Sequence, residues 1–237
     1  MTRRRWIADE VSGDRAFLTG QNAGHLVRVL RARVGQQFEI ATPDGVRMGE
    51  IVEIQPERVV FSTAQISNVH HRQRSAKIHL YLAIFKFDRF EWAVEKCTEL
   101  GVSSIIPMIA GRTDAHLASA APKRLERWRR LAHEAAQQSR RSEVPEIAAP
   151  EKLDKSALAA PGHRIVLAES EDKQRLADLI EEASVMSLAV GPEGGWTESE
   201  LTLFDEQRWA RASLGPTILR AETAAISALA VAQALAI

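Results

Sequence analysis

The sequence predicts an α/β fold, a mostly parallel sheet with helices on both faces, preceded by a small β-barrel. Three observations predict it. From Lys77 onward, short apolar strand-like runs alternate with amphipathic helical segments, the rhythm of βαβ units. Before residue 67, short apolar runs are separated by turn residues, with one helical stretch among them. Apolar residues make up 45% and charged residues 26% of 237 positions, which suits a chain that buries a core and argues against a disordered or fibrous one. That length allows one large domain or two modest ones.

In the first part, strands are expected at Phe38–Ala41, Gly49–Ile54 and Val59–Ala64, with Pro43-Asp44-Gly45 as a turn. A helix is expected at Gln21–Arg31, with Ala23, Leu26, Val27 and Leu30 on its inner face. Asn68–Ser75 is polar and basic without periodicity and reads as a linker. Its pair His70-His71 lacks the further ligands that a metal site needs. The domains are therefore expected at 1–70 and 76–237, with the boundary near 67–76.

In the second part, Ile78–Ile84 alternates like a strand, and Asp88 with Glu91 has the spacing of a capping box. Phe90, Ala93, Val94, Cys97 and Leu100 form the following apolar stripe, and Gly101 ends it, so Cys97 reads as a buried residue and not a catalytic thiol. Ile105–Ile109 is a strand. A long helix runs from Pro122 to about Ser139, with Leu125, Trp128, Leu131, Ala132 and Ala135 inward. A strand at Ile165–Ala168, a helix at Lys173–Ala183 and a strand at Met186–Val190 come next. Thr197 with Glu200 is a second capping box, opening a helix to about Gln207. Ala210–Leu214 is a strand. The last helix, from about Glu222, is apolar on nearly all sides and is expected between layers or at a dimer interface.

One cysteine excludes an internal disulfide and suits a reducing compartment. No secretory signal is visible at Met1–Asp9, so the cytoplasm is expected. The most apolar stretch, Ala224–Ile237, spans 14 residues, too few for a bilayer, so no membrane partner is expected. Lys+Arg and Asp+Glu balance at 31 each, yet residues 1–150 carry net +6 and residues 151–237 net −6. Lys123, Arg124, Arg127, Arg129, Arg130, Arg140 and Arg141 fall within 19 residues that hold only Glu126 and Glu134 as acids. Such a stripe fits either a basic face for RNA or a solvated helix face.

Two loops carry the chemistry. Gly191-Pro192-Glu193-Gly194-Gly195 leaves an apolar strand and enters a capped helix. Glycines there let backbone groups approach a ligand at the carboxyl end of a strand; the alternative is a tight turn, for which four such residues in five are dense. It lacks the Gly-Lys-Ser/Thr of a Walker loop, and the chain contains no G-x-G-x-x-G. Leu214-Gly215-Pro216-Thr217-Ile218-Leu219-Arg220-Ala221-Glu222-Thr223-Ala224 is the second. Arg220 and Glu222 stand in apolar surroundings, which fits either a mutual pair capping the last helix or a functional role.

These two loops resemble the signatures of the 16S ribosomal RNA uracil-N3 methyltransferases, the RsmE type of the SPOUT superfamily. The resemblance runs over nearly the whole chain. His25-Leu26, Val29-Leu30-Arg31, Gly35 and Asp44-Gly45 are similar to the family's PUA-like barrel. Lys86, Asp88-Arg89, Glu91, Lys96-Cys97, Glu99-Leu100-Gly101-Val102 and Pro107 resemble the start of its catalytic domain. Glu134-Ala135, Gln138-Ser139 and Val144-Pro145-Glu146-Ile147 match its middle. The chain departs from the pattern at Phe87 and Arg140, where the family usually or often has Gly, at Thr217, where it often has a basic residue, and at Ala221, where Thr is common.

The resemblance implies a trefoil-knotted domain, a homodimer without metal, S-adenosylmethionine as methyl donor, and a uridine in the decoding region of the small subunit as acceptor. It implies that Arg220 stabilises the anion developing at N3 and that Glu222 is a base or a partner orienting Arg220. Cofactor contacts are expected from Leu167 and the loop after it, and from Gly191, Glu193, Gly194, Gly195, Leu214, Gly215, Ile218, Leu219, Thr223 and Ala224. RNA contacts are expected from Arg3, Arg5, Arg28, Arg31, Lys86, Arg89, Arg129, Arg140 and Arg141, with the 30S subunit as partner. Trp6, beside the Arg3–Arg5 cluster, either stacks on a base or closes the barrel. Methylation of transfer RNA and a non-enzymatic role in ribosome assembly are the competing readings.

Overall fold

The computed structural model describes residues 5–65, 76–180 and 185–236. The linker Asn68–Ser75 with its histidine pair, the expected domain boundary, Arg3 and Arg4 all lie outside them. The chain divides into two compact units, Met1–His71 with Ala136–Glu143, and Arg72–Ala135 with Val144–Ile237.

The first unit is a curled six-stranded sheet in the order β1 (Trp6–Ile7), β4 (Gln37–Thr42), β5 (Gly45–Gln55), β6 (Arg58–Gln65), β3 (Arg15–Thr19), β2 (Glu10–Ser12). Its end strands β1 and β2 do not pair, so the small barrel expected is a curled half-barrel. Trp6, Leu18, Leu26, Ile40, Ile51 and Phe61 fill its core. Trp6 is buried there, which removes base stacking and leaves it the core role. The expected helix is a short α1 (Gly20–Gly24) that widens into a π-type turn over His25–Val29, where Leu30 N donates to His25 O at 3.1 Å. The wider turn breaks the 3.6-residue period, so Leu30 points outward instead of joining Ala23 and Leu26 inside.

Glu39 is the electrostatic centre of this unit. Arg5 donates to it from Nε and Nη2 at 3.1 and 2.9 Å, and Arg140 pairs with its other oxygen. Burial alone would raise the Glu39 carboxyl, but the hydrogen bonds from Arg140 and Arg5 outweigh it and hold it below the usual carboxylate value. Arg140 has φ 60°, the left-handed conformation that glycine adopts without strain, so this departure from the resembled pattern keeps the backbone and gains an ion pair.

The second unit is a parallel sheet of β10 (Glu151–Lys152), β8 (Ser104–Ile109), β7 (Lys77–Ala83), β12 (Val185–Val190), β11 (His163–Leu167) and β13 (Ala210–Ala212), with β9 (Glu146–Ile147) also on β8. Alternate residues of each strand feed two cores, as a sheet covered on both faces requires. Ile78, Leu80 and Leu82 join the face covered by α2 (Phe87–Glu99), α4 (Leu125–Gln138) and α7 (Ala221–Leu235). Tyr81 and Ala83 join the face covered by α6 (Glu198–Glu206), with Trp196, Phe204 and Trp209.

Several helix details differ from expectation. Helix α2 starts at Phe87 with Lys86 as its cap, so Asp88 lies inside the first turn. Glu91 pairs with Arg127 at 2.8 Å and Arg124 at 3.5 Å instead of closing a capping box. Phe87 stacks against Trp128, with ring centroids 6.1 Å apart, and lies under the Arg124 guanidinium. Cys97 is buried in α2 as expected, and burial pushes its thiol up to about 12. Pro122 falls in a 3-10 turn, Ala121–Arg124, between α3 (Ala115–Ala120) and α4. Of the helix expected at Lys173–Ala183, the described residues form a single turn, α5 (Leu176–Leu179), and residues 181–183 lie outside them. The last helix buries one face and leaves Thr223, Ala230, Ala234 and Leu235 exposed, so within one chain it is not covered on all sides.

Candidate functional site

Three neighbouring parallel strands, β12, β11 and β13, end beside one another, and a cavity of about 330 Å³ opens at their carboxyl ends. Leu167, Val190 and Ala212, the last residues of those strands, line it. This is where a parallel α/β sheet places ligands, because the loops leaving its strands are free to diverge there.

One wall is the loop that follows β12. Gly191 lies against the Trp196 indole, where a Cβ would meet the ring at 3.2 Å, a tight contact that the ring would have to yield to. Trp196 Nε1 donates to Leu167 O at 2.9 Å, stitching the loop to the end of β11. Thr197 and Glu200 then form the expected capping box at the start of α6. The buried Glu200 carboxylate also accepts from Gly111 N at 2.6 Å, and Arg112 Nη1 donates to Gly194 O at 2.5 Å. The loop after β8 thus clamps the loop after β12.

The other wall is the segment from Ser213 into α7. Gly215 has φ +132°, closed to L side chains without strain. Ile218 is 80% exposed at the cavity rim, although it is a large apolar residue. Arg220 is the N-cap residue of α7, exposed on the cavity wall, with no ion pair among the described residues.

Of the residues expected to hold a cofactor, Leu167, Gly191, Glu193, Gly195, Leu214, Gly215, Ile218, Leu219 and Ala224 line this cavity together with Arg220. Gly194, Thr223 and Glu222 do not. Gly194 offers its carbonyl to Arg112, Thr223 faces outward, and Glu222 is buried behind the wall at 5% exposure. The Glu222 carboxylate has Arg89, not Arg220, as its cation, with Oε1 3.8 Å from Arg89 Nε and Oε2 without a hydrogen-bond partner. The lining also holds Glu169, in the loop after Leu167 that was expected to contribute, and Trp196 and Ser213, which the sequence reading did not name. Trp196 directly follows the glycine loop, a signal that was available.

The expected RNA contacts divide into two groups. Arg28, Arg31 and Lys86 are exposed and make no ion pair among the described residues. Arg5, Arg89, Arg129 and Arg140 are engaged inside the protein, Arg5 and Arg140 with Glu39, Arg89 with Glu193 at 2.6 Å, and Arg129 with Glu126 at 2.9 Å and Ile147 O at 3.3 Å. Arg141 is half-buried, which pulls its guanidinium below the ordinary value. Arg3 lies outside the described residues. Among the described residues no group of His, Cys, Asp and Glu is placed to hold a metal, and no helix is long and apolar enough to cross a membrane.

Comparison with known proteins agrees with this geometry. The RNA methyltransferase domain family matches residues 72–233, and the RNA methyltransferase PUA domain matches residues 18–63. The chain is 31% identical to ribosomal RNA small subunit methyltransferase E of Bacillus subtilis over 90% of this chain and 87% of the relative. It is 34% identical to the Synechocystis protein of the same name, over 92% and 72%. The crystal structure of ribosomal RNA small subunit methyltransferase E from Neisseria gonorrhoeae, bound to S-adenosyl methionine, superposes with a TM-score of 0.85 at 27% identity, covering 98% and 97% of the two chains. A Legionella pneumophila methyltransferase in complex with the bound cofactor SAM gives 0.84 at 29%, with the same coverage. The two-wall cavity, the half-barrel and these matches together place the chain in the RNA methyltransferase family, among the ribosomal RNA small subunit methyltransferases of type E.

Proposed function

We propose that this protein transfers a methyl group from S-adenosylmethionine to N3 of a uridine in the decoding region of 16S ribosomal RNA. We further propose that it acts in the cytoplasm as a homodimer on the 30S subunit. The observation that carries the reading is the cavity at the ends of β11, β12 and β13, walled by both signature loops. In this reading residues 76–237 form the trefoil-knotted methyltransferase domain and residues 1–70 a PUA-like RNA-binding domain.

The residues present suit the cofactor. The cavity falls in the range of small-molecule sites, about 300–1,000 Å³. Gly191 and Gly215 keep backbone donors and acceptors accessible, Leu214, Ile218 and Leu219 offer apolar contact, and Glu169 and Glu193 put carboxylates on the wall around a cationic ligand. When bound, S-adenosylmethionine supplies an electrophilic methyl on a sulfonium.

The chain supplies position and electrostatics. Uracil N3–H is weakly acidic, so the barrier falls if the developing imide anion is stabilised. Arg220, exposed on the cavity wall with no ion pair among the described residues, offers a permanently charged planar fork for that anion. Arg28, Arg31 and Lys86 remain available for phosphates, and this binding should weaken with salt as counterions are no longer released favourably.

The test is mass spectrometry of nucleosides from 16S RNA, free or in 30S subunits, incubated with enzyme and cofactor. New N3-methyluridine is the expected outcome. Calorimetry showing no S-adenosylmethionine binding, or 30S subunits from a deletion strain that keep their N3-methyluridine, would sink the proposal. Transfer RNA offered alongside separates the competing methylation.

A further inference from the structure

Arg89 was expected on the RNA face. In the structure it is engaged within the protein: on the first turns of α2, its Nη1 is 2.6 Å from Glu193 Oε1 and its Nε is 3.8 Å from Glu222 Oε1. Glu193 belongs to one cavity wall. Glu222 sits in the first turn of α7, next to Ala221 and two residues past Arg220, both on the other wall. We propose that Arg89 is a positioning residue for the methyl-transfer site, its guanidinium fork tying Glu193 to the buried Glu222 and so setting the separation of the two walls. The inference rests on the methyltransferase reading of the cavity.

Three observations carry it. First, Glu222 is 5% exposed and one of its oxygens has no donor, so Arg89 is the only counter-charge this buried carboxylate has among the described residues. A buried carboxylate deprived of its cation is strongly unfavourable. Second, residues 214–219 make no hydrogen bond among the described residues, and Arg89 is the one side chain that joins both walls by ion pairs. The placement of Arg220 therefore depends on how the first turn of α7 is held. Third, one arginine between two carboxylates leaves the cluster with a net charge of −1. That sign repels a phosphate, which argues against the RNA contact. Arginine faces the two acids with different nitrogens of one planar fork, Nη1 hydrogen-bonded to Glu193 and Nε paired through space with Glu222.

The test compares Arg89→Ala, Arg89→Lys, Glu222→Gln and the double variant Arg89→Ala/Glu222→Gln with the unmodified protein. Thermal melting is measured without ligand, S-adenosylmethionine affinity by calorimetry, and RNA affinity across a salt series. Arg89→Ala should weaken cofactor binding about tenfold or more and lower the melting temperature. Arg89→Lys should recover part of the binding. Adding Glu222→Gln to Arg89→Ala should restore most of the melting loss, because it removes the stranded charge, so the two effects should be non-additive. The salt slope of RNA binding should not change. Three outcomes would overturn the inference: cofactor affinity within about twofold in Arg89→Ala, strictly additive melting shifts, or a salt slope reduced by about one, the mark of a phosphate contact. If Arg89→Ala does not fold, the double variant decides, since rescue supports the tether and continued failure to fold overturns it. Failure of the unmodified protein to bind S-adenosylmethionine would sink the methyltransferase reading alone, because the melting cycle tests the Arg89–Glu222 coupling without ligand.

Discussion

The two loops that wall the cavity are built to opposite standards. The loop after β12 is tied by side chains from three directions: Trp196 to the Leu167 carbonyl, Arg112 to the Gly194 carbonyl, and Arg89 to Glu193. The segment 214–219 across from it makes no hydrogen bond among the described residues and leaves Ile218 80% exposed. The first loop has its conformational entropy removed during folding. The second carries none of these ties, so any ordering of it on ligand binding would be drawn from binding affinity instead of from stability. Substitutions in the first wall should therefore register in melting, and those in the second in binding and turnover.

Trp196→Ala puts the largest load on this contrast. It removes a buried indole packed on Phe204 with centroids 4.9 Å apart, along with the bond to Leu167, and should cost about 3–5 kcal/mol by chemical denaturation. A cost below about 1 kcal/mol would mean that the clamped wall is not clamped. Arg220→Ala, on the open wall, should lower methylation roughly 100-fold or more, about 2.7 kcal/mol of transition-state stabilisation, while melting and cofactor affinity stay within a few fold. Surviving activity would make Arg220 structural. Glu200→Ala strips the capping box and leaves Gly111 N without its acceptor, for a loss of about 1–2 kcal/mol in the same denaturation assay. Ile218→Ser should leave stability within about 0.5 kcal/mol but weaken S-adenosylmethionine binding severalfold by calorimetry. If it melts early instead, the open wall is packed more firmly than its exposure indicates.

What was readable in the sequence follows the range over which each residue acts. Thr197 and Glu200 cap α6 as their spacing predicts, because both partners lie within one turn. Asp88 and Glu91 have the same spacing and make no box, because Arg124 and Arg127, more than thirty positions later, take Glu91. The stripe through Phe90, Ala93, Val94 and Cys97 is buried as read, while Leu30 is exposed because a π-type turn alters the period in its last turn. The cavity loops were found by glycine density and resemblance, both local. Ser213 joins the lining where β13 runs beside β11, and Glu222 looked like a partner for Arg220 because Arg89 is over a hundred residues away. Pairings set by strand order and long-range charge leave no local mark.

Unit 1 offers a pH test that bears on the basic residues. The Glu39 carboxyl is held below its ordinary value of 4.5, so its contribution is complete above that value and fades as pH falls towards the folded-state value. Glu39→Gln should flatten that acid limb and cost no more than about 1 kcal/mol at neutral pH, since these pairs are partly solvated.

The partition of Ala136–Glu143 has a practical consequence for anyone wishing to exchange parts between relatives. The first unit takes this stretch from the far side of α4, and with it Arg140 for Glu39 and the Gln137 carbonyl for Arg5 N at 3.3 Å. A half-barrel excised at residue 70 would leave those partners behind. A graft that transplants it must carry two segments of sequence, because a single crossover would leave Glu39 with Arg5 alone and Arg5 N without its acceptor.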